Sequence, residues 1–316
     1  ARGVRQVFEG GMMRLVDLPS RRTEAWKYSD LARAMDERVQ FTLNRDCADP
    51  AVTSARGGVI GALATQMGGV EDVLVAAGET LVRVERLAYA NLAPHLLNAT
   101  LAPGARLTRI VVQREVADGI VLEAAHVRVA AGARFQQFIL AEGAKLARIE
   151  THVELEGEGA EVHLNGIYLA GPERHADLTS TIVHNGRDGI TRQLIKGVAL
   201  KGGRGVFQGK IVVEPGAQKT DARQYHHGLL LEEGAEIFAK PELMIHADDV
   251  ACAHGNTAGG LDETAMFYMR SRGVPEAQAR AMLIEAFLVG AIPPGLPHDI
   301  ESELLSLIGA WLGRVR

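Results

Sequence analysis

The chain has 316 residues, of which 47% are hydrophobic and 23% charged, and this composition is typical of a globular protein with one large or two ordinary domains. The formal net charge of −5 gives no electrostatic reason to expect nucleic-acid binding, and no apolar run approaches the roughly 18 residues of a membrane span. With only two cysteines, Cys47 and Cys252, a disulfide framework is excluded. Residues 1–18 lack the layout of a signal peptide, so we expect a cytoplasmic protein.

The first region, residues 1–50, is predicted to be helical. Its clearest segment is EAWKYSDLARAMDERV, which starts at Glu24 and follows Thr23, a residue type suited to an N-cap. We interpret Trp26 in this segment as a core or docking anchor rather than as a ligand-binding residue.

The second region, residues 51–260, contains short segments that alternate between apolar and polar residues, and almost no convincing helix. Period-two alternation with Val and Ile predicts strands. The segments are LTRIVVQ, GIVLEAAHVRV, FQQFIL, ARIETHVELE, EVHLNGIYL, TSTIVHN and FQGKIVVE.

A Gly-Ala pair recurs between these segments, with its glycine at positions 104, 132, 159, 216 and 234. The intervals are 28, 27, 57 and 18 residues, and 57 is about two units of the first kind. A strand–turn unit of fixed period predicts a solenoid, in which each repeat buries its face against its neighbours. We favour a parallel β-helix, with a β-sandwich as the alternative. No six-residue apolar period persists, which argues against a left-handed hexapeptide helix.

The third region, residues 261–316, is predicted to contain three helices. Asp262 and Glu263 provide an acidic start for the first, and Gly273 ends it as a C′ residue. Pro275 fits the first helical position of the second helix. The apolar stripe of the second helix is predicted to consist of Met282, Leu283, Ala286 and Phe287, and that of the third of Leu304, Leu305, Ile308 and Trp311.

Two kinds of enzyme site find little support. The segment GGRGVFQGKIV is not a phosphate-binding loop, because Arg204 stands where its first glycine is required and Ile211 replaces the Ser or Thr. Asp248 and Asp249 could form a glycosidase pair on a β-helix hydrolase, but neighbouring residues on a strand point to opposite faces. This hydrolase remains the least favoured alternative.

The segment HADDVACAHG offers metal-binding chemistry. Cys252 and His254 are two residues apart and would project together from a strand, as a thiolate and imidazole pair suited to zinc or iron. Two ligands are too few for a closed zinc or iron–sulfur site, which wants about four. The pair is therefore either structural or completed by a second subunit. His226 and His227 are a weaker candidate, because at most one of them can face a common site.

Three segments resemble the SufB/SufD family of iron–sulfur cluster assembly scaffolds: RRTEAWKYSDL (21–31), GKIVVEPGAQKTDARQ (209–224) and residues 240–274, which include HADDVACAHGNTAGGLDE. The resemblance implies a right-handed parallel β-helix flanked by N-terminal and C-terminal helical regions. It also implies a scaffold without enzymatic activity of its own. The short CAHG form, with Gly255 after the histidine, is more similar to SufD than to SufB.

The resemblance further implies partners and site residues. The chain would pair with SufB through its last β-helix strands and bind the SufC ATPase through its C-terminal helices, with a homodimer possible in isolation. His254 and Cys252 would contribute to a transient iron–sulfur cluster that a SufB cysteine completes, and this chain alone would hold no cluster stably. The partner interfaces would include His246, Asp248, Asp249, Phe267, Tyr268, Arg270, Arg272 and Phe287. A purely architectural subunit, with no ligand role, is the alternative.

Overall fold

The computed structural model describes residues 19, 21–35, 58–88 and 92–314. Cys47, residues 1–18 and the end of the predicted N-terminal helix lie outside the described residues. The strands are β1 Val70–Val75, β2 Thr80–Leu87, β3 His95–Leu101, β4 Arg106–Gln113, β5 Val116–Val129, β6 Arg134–Ala141, β7 Ala144–Leu155, β8 Glu161–Ala170, β9 His175–His184, β10 Ile190–Ala199, β11 Arg204–Val213, β12 Asp221–Leu230, β13 Glu236–Ile245 and β14 Ala251–Gly259. The α-helices are α1 Leu31–Ala34, α2 Gly58–Met67, α3 Glu263–Ser271, α4 Glu276–Val289 and α5 His298–Arg314.

The strands form a parallel β-helix, which confirms the solenoid prediction and excludes the sandwich. Odd-numbered strands make one seven-stranded sheet, sheet A, and even-numbered strands make another, sheet B. Every pairing is parallel, and consecutive strands of a sheet are about one repeat apart in sequence. We call one strand of sheet A and the following strand of sheet B a rung. The predicted strands at 107–113, 119–129, 135–140, 147–156, 161–169, 179–185 and 207–214 all lie within or overlap observed strands.

The Gly-Ala pairs form one corner of this solenoid. Gly104, Gly132 and Gly159 have φ values of +70°, +61° and +66°, a left-handed conformation that glycine adopts without steric cost. Their amides donate to carbonyl oxygens of the next rung at 2.9–3.0 Å, and the alanine after each glycine is fully buried. Gly234 instead lies at the opposite corner, where the Gly202 amide donates to its carbonyl at 3.0 Å. The interval of 18 residues therefore separates the two corners and is not a repeat.

The interior is apolar at one corner and contains a line of polar side chains along sheet B. Val127, Leu155, Val162 and Ile211 belong to the large apolar cluster. Beside this cluster, each strand of sheet B contributes one inward-facing position, and these positions are in register from the first rung to the last. We call this set the polar column. Its seven positions hold Arg83, Arg109, Gln137, Leu164, Gln193, Gln224 and His254, of which only Leu164 is apolar.

Hydrogen bonds satisfy most of the buried polar column. Arg109 donates to Glu123 at 2.6 Å and to Gln137 at 2.9 Å, at a position where it is completely buried. Gln224 donates to Gln193 at 2.9 Å, and Gln193 donates to the Ser180 hydroxyl at 2.8 Å. Buried polar groups are stable only when they are paired in this way, so the column fixes the register of the rungs.

The N-terminal segment docks on the outer face of sheet A and is not one continuous helix. A 3-10 turn spans Glu24–Trp26 and α1 covers four residues, with Asp30 rather than Thr23 accepting a backbone N–H as the helix cap. The long predicted helix is therefore wrong, because the segment follows the sheet surface. Trp26 is buried, and the Arg148 guanidinium lies 4.1 Å from the centroid of the Trp26 ring. This packing supports the interpretation of Trp26 as a docking anchor.

Two further contacts join this segment to β13, in the last rung. Tyr28 stacks on Phe238 of β13 at 5.1 Å, and Glu24 pairs with Lys240 of the same strand at 2.6 Å. Beneath the segment, Arg148 donates to Asp177 at 2.6 Å and to the Ala25 carbonyl at 2.7 Å. One N-terminal segment thus fastens several strands of sheet A together.

The helices correct three details of the sequence prediction. α2 is a ten-residue helix inside the region expected to contain almost none. Pro275 is the N-cap of α4 rather than its first residue. The stripe predicted on α4 is wrong for Met282 and Ala286, which are exposed, whereas its other two members, Leu283 and Phe287, are partly buried. The buried residues of α4 are Ala279, Ala281, Ile284 and Leu288. Of these, Ile284 and Leu288 pack, together with α5, on the outer face of sheet B.

The remaining expectations for the C-terminal helices agree with the structure. Leu304, Ile308 and Trp311 of α5 are buried, and Leu305, the fourth residue of the predicted stripe, is partly buried. Asp262 accepts the backbone N–H groups of Thr264 and Ala265 as the N-cap of α3. Gly273, with a φ of +86°, follows that helix in the left-handed conformation expected of a C′ residue.

Removing the docking anchor should loosen the N-terminal segment. We expect Trp26→Ala to lower the free energy of unfolding by about 3–5 kcal/mol, because a buried aromatic ring and its cation–π contact are lost. The exposed neighbour Lys27 is the matched control. Lys27→Ala should change the free energy of unfolding by about 0.5 kcal/mol or less. Urea unfolding of the three proteins measures this, and equal midpoints for both variants would contradict the anchor role.

Acid should destabilise the solenoid through its interior histidines. Burial lowers the pKa of His184 and that of His226 to about 4, whereas an unfolded histidine has a pKa of about 6.5. Below pH 6.5 the unfolded chain takes up protons that the folded chain refuses until about pH 4. Each histidine therefore removes about 1.4 kcal/mol of stability per pH unit across that window.

Urea unfolding at pH values from 7 to 4 checks this expectation. His226→Gln should make the dependence of stability on pH shallower by about one proton, whatever it does to stability at pH 7. An unchanged slope would show that this histidine already titrates normally in the folded protein.

Candidate functional site

The last rung, β13 and β14, forms an open end of the solenoid. Within the part of the chain that the structure describes, β13 pairs only with β11, and β14 pairs only with β12. Their outer edges therefore leave a row of backbone N–H and C=O groups without strand partners, a ready template for another chain. Pro241 in β13 fits such an edge, since proline has no N–H to donate to a further strand. Met244 and Ile245 are exposed there.

Cys252 lies near the start of β14 and faces the solenoid interior. It is in register with the buried Ala222 and packs against the large apolar cluster, but it is only partly buried because no rung covers it. Burial is the main cause that raises the pKa of its thiol; the Asp221 carboxylate adds to this, and a backbone hydrogen bond involving Ala222 opposes it. The isolated chain therefore keeps this residue as a thiol, and a neighbouring cation or metal ion would be needed to favour the thiolate.

His254 ends the polar column. It is in register with the buried Gln224, two residues along β14 from Cys252, and both side chains point to the same side of the strand. The structure thus agrees with the expected joint projection of Cys252 and His254. His254 is exposed, and the buried Oε1 of Gln224 beneath it has no hydrogen-bond partner among the described residues. The last rung therefore presents an imidazole and a thiol side by side, with room for a partner above them.

The two neighbouring histidines of β12 point to opposite faces, as the sequence predicted. His226 is fully buried, and its two ring nitrogens lie 2.9 Å from the Tyr168 hydroxyl and 2.6 Å from Asn256 Oδ1. His227 is on the outer face, 2.7 Å from the Thr257 hydroxyl. Both nitrogens of His226 are occupied, so this residue supports the site without offering a ligand.

The acidic pair before β14 lies in a bend rather than on a strand. Asp248 and Asp249 are both exposed, and the expected strand geometry between them is wrong. Asp249 forms an ion pair with Lys219, and its backbone N–H donates to Gln218 at 3.0 Å. His246, at the end of β13, is exposed and bonds through its backbone to Val213 at 2.8 Å. These residues form the rim of the open end at one corner.

The C-terminal helices carry a separate exposed surface. α3 buries none of its residues, and Phe267 and Tyr268 are 74% and 59% exposed. Arg272 lies 5.3 Å from the Tyr268 ring, and Arg270 pairs with Glu276 at 3.4 Å. Phe287 differs from these four because it is half-buried, with the Lys196 ammonium group 4.9 Å from its ring. Large aromatic side chains exposed together are typical of a protein interface.

Two groups of residues were not predicted from the sequence. The polar column is spread over seven strands, so only the in-register stacking reveals it. A cluster of His126, His152 and Glu154 lies on the outer face of sheet A. The spacing of 26 residues between the two histidines, close to one rung, is the signal that could have indicated this cluster.

No helix in the described ranges is long and apolar enough to cross a membrane.

Comparisons with known proteins find relatives that are named as iron–sulfur cluster assembly proteins. The chain is 35% identical over 170 residues to the iron–sulfur cluster assembly protein SufD of Escherichia coli, covering 54% of this chain and 40% of that protein. It is 34% identical over 187 residues to an iron–sulfur cluster assembly SufBD family protein of Synechocystis, covering 59% and 41%. It is 33% identical over 193 residues to the chloroplastic protein ABCI7 of Arabidopsis thaliana, covering 61% and 41%. The matched part spans about two fifths of the length of these relatives.

The family described as "SUF system FeS cluster assembly, SufBD core domain" matches residues 66–287. That range contains all fourteen strands of the β-helix, including the open last rung, as well as α3 and most of α4. The chain therefore belongs to the SufBD family of SUF-system iron–sulfur cluster assembly proteins.

Proposed function

We propose that this chain is a SufD-type scaffold subunit, which pairs with SufB through its open last rung and presents His254 to a nascent iron–sulfur cluster. The observation that carries the proposal is the uncovered edge of β14, from which Cys252 and His254 project together. The cluster is cargo, built at the junction and then passed on. This chain supplies position and ligands rather than catalysis.

The edge geometry favours a β-helix as the partner. A strand added in parallel register next to β14 would satisfy its free backbone groups and would cover the interior side chains of the last rung. The exposed Met244 and Ile245 on β13 would be buried at the same junction. SufB, as a paralogue expected to share the β-helix fold, is suited to such end-to-end pairing.

The ligand chemistry explains why a second subunit is needed. An iron–sulfur cluster requires about four ligands, mostly thiolates, whereas the described last rung provides one thiol and one exposed imidazole. Thiolates from SufB would complete the set. Burial raises the pKa of the Cys252 thiol, so its binding to a metal ion would release a proton, whereas the exposed His254 imidazole can bind as a neutral ligand.

The C-terminal helices are proposed to bind the SufC ATPase. α3 offers Phe267 and Tyr268 to solvent, flanked by Arg270 and Arg272. This surface belongs to α3, whereas the proposed SufB surface belongs to the edge of β14, so the two partners would bind different elements of the chain. Movement of SufC would then act on the SufB junction through α4 and α5, which pack on the outer face of sheet B.

A purely architectural subunit is the second candidate. The packing of Cys252 against the apolar cluster favours it, because a buried thiol also serves as an ordinary small apolar side chain. The hydrolase alternative gains no support, since Asp249 is engaged by Lys219 at the rim.

The first test is co-purification with SufB and SufC, followed by anaerobic iron and sulfide analysis. His254→Ala should leave the complex intact but reduce bound cluster to background, because the exposed imidazole contributes a ligand and no packing. His227→Ala is the matched control, an outward histidine one strand away, and should retain full cluster content. Full cluster content in His254→Ala would instead establish the architectural role.

The second test concerns the exposed aromatic surface. Phe267→Ala with Tyr268→Ala should weaken SufC binding by at least about 30-fold, the effect of losing an interface hot spot, while SufB still co-purifies. Leu74→Ala is the control, because Leu74 is 72% exposed on the first rung, at the opposite end of the solenoid. Equal SufC affinity in both proteins would place its docking surface elsewhere.

A further inference from the structure

The outer face of sheet A carries a second cluster of metal-ligating side chains. His126 of β5 and His152 of β7 are directly in register, and Glu154 follows two residues along β7 on the same face. One ligand atom from each of the three lies within 4.8 Å of the others. This face is not the interior side from which Cys252 and His254 project, and the cluster belongs to β5 and β7 rather than to the last rung.

The distances are close to those of a metal centre. Glu154 Oε1 is 3.4 Å from His126 Nε2 and 3.3 Å from His152 Nε2. Ligands of a tetrahedral ion, each about 2.0 Å from the metal, are about 3.3 Å apart. The two imidazoles stack nearly parallel, with ring centroids at 5.0 Å and an interplanar angle of 11°. A small inward tilt of the rings would bring their nitrogens to the same spacing.

The surroundings suit a cation that keeps open coordination positions. The cluster lies in a surface cavity of about 420 Å³, also lined by Glu150, Glu156 and Arg128. His126 is buried, whereas His152 and Glu154 are about one third exposed, so one ligand is held firmly and an ion can still enter. Beside His126 in the next strand stands Asn98, whose buried Oδ1 has no hydrogen-bond partner among the described residues. A nearby acceptor of this kind can orient a ligating imidazole or a metal-bound water.

The carboxylate is already adapted to positive charge. Burial opposes its ionisation, but the two imidazoles together hold the pKa of Glu154 below its usual range. Binding of a metal ion by the imidazoles would release any proton that their ligating nitrogens carry.

We propose that His126, His152 and Glu154 bind one divalent transition-metal ion of the zinc and ferrous class. Two imidazoles with one carboxylate and open positions are the donor set of catalytic zinc and of non-haem iron centres, whereas calcium and magnesium prefer oxygen ligands alone. The site does not depend on the proposed assembly function. It requires no partner subunit, because this chain provides all three ligands.

Titration of the metal-free protein with Co²⁺, followed by visible absorption and by metal analysis after desalting, tests the proposal. We expect one Co²⁺ per chain, displaced by Zn²⁺. His126→Ala, His152→Ala and Glu154→Gln should each weaken binding by more than about tenfold, since even residues that only orient ligands reach that value. Thermal unfolding of each variant verifies that it is folded, and Glu154→Gln keeps the side-chain shape if the histidine variants do not fold.

A control makes the result specific. His163→Ala removes a half-buried histidine on the outer face of sheet B, 3.9 Å from Glu161, and should bind as the wild type does. The proposal is overturned if the wild type binds no stoichiometric ion, if the cluster variants bind as tightly as the wild type, or if binding is lost in His163→Ala instead.

Discussion

The constraint on which this molecule depends is the in-register stacking of parallel strands. Each rung forms backbone hydrogen bonds with the rung before it and packs its interior side chains against that rung. Every strand therefore needs a following strand to pair with its other edge. The stacking ends at β13 and β14 with free backbone groups, exposed apolar side chains and an uncovered interior. An edge of this kind invites aggregation unless a specific partner covers it. The free backbone groups and exposed apolar side chains would favour aggregation of the chain alone, and the same features would allow a second subunit to pair with it.

The polar column gives this open end a defined geometry. A purely apolar interior would tolerate small shifts between rungs, whereas Arg109, Gln193 and Gln224 form their mutual and neighbouring hydrogen bonds only in one register. His226 is locked between Tyr168 and Asn256 beneath the last strand, and this contact supports the strand that carries His254. On the outer face, the N-terminal segment holds β13 through Tyr28 and Glu24. The last rung is thus fixed from inside and outside before any partner binds.

The sequence predicted the solenoid because its alternation and its corner residues are local signals. Gly104, Gly132 and Gly159 are needed for their left-handed backbone, and each following alanine for its small buried side chain, so their spacing carries the repeat. The repeat is lost where Asp188 and Lys219 take the same conformation without being glycine. The single N-terminal helix was wrong for another reason. Its propensity is helical, but docking of Trp26 and the surrounding residues on sheet A overrides that propensity.

The site was only half predictable for a similar reason. Cys252 and His254 lie on one strand, so their joint projection follows from period two, and the structure places both at the open end. The polar column and the His126–His152–Glu154 cluster each combine residues from different rungs. Their proximity exists only once the exact register of the rungs is known. The buried stripe of α4 likewise depends on which face packs against sheet B, and its sequence is apolar on more than one face.

Docking of SufB on the last rung is the proposal on which the other proposed roles of this chain depend. Hydrogen–deuterium exchange of this chain, alone and after addition of SufB, tests that claim directly, because the edge amides of β14 exchange rapidly unless a strand covers them. We expect new protection over residues 251–259 and at the exposed end of β13, with no change in β1 at the other end of the solenoid. Protection confined to β1 and β2, or unchanged exchange in β14 within a complex that does form, would contradict it.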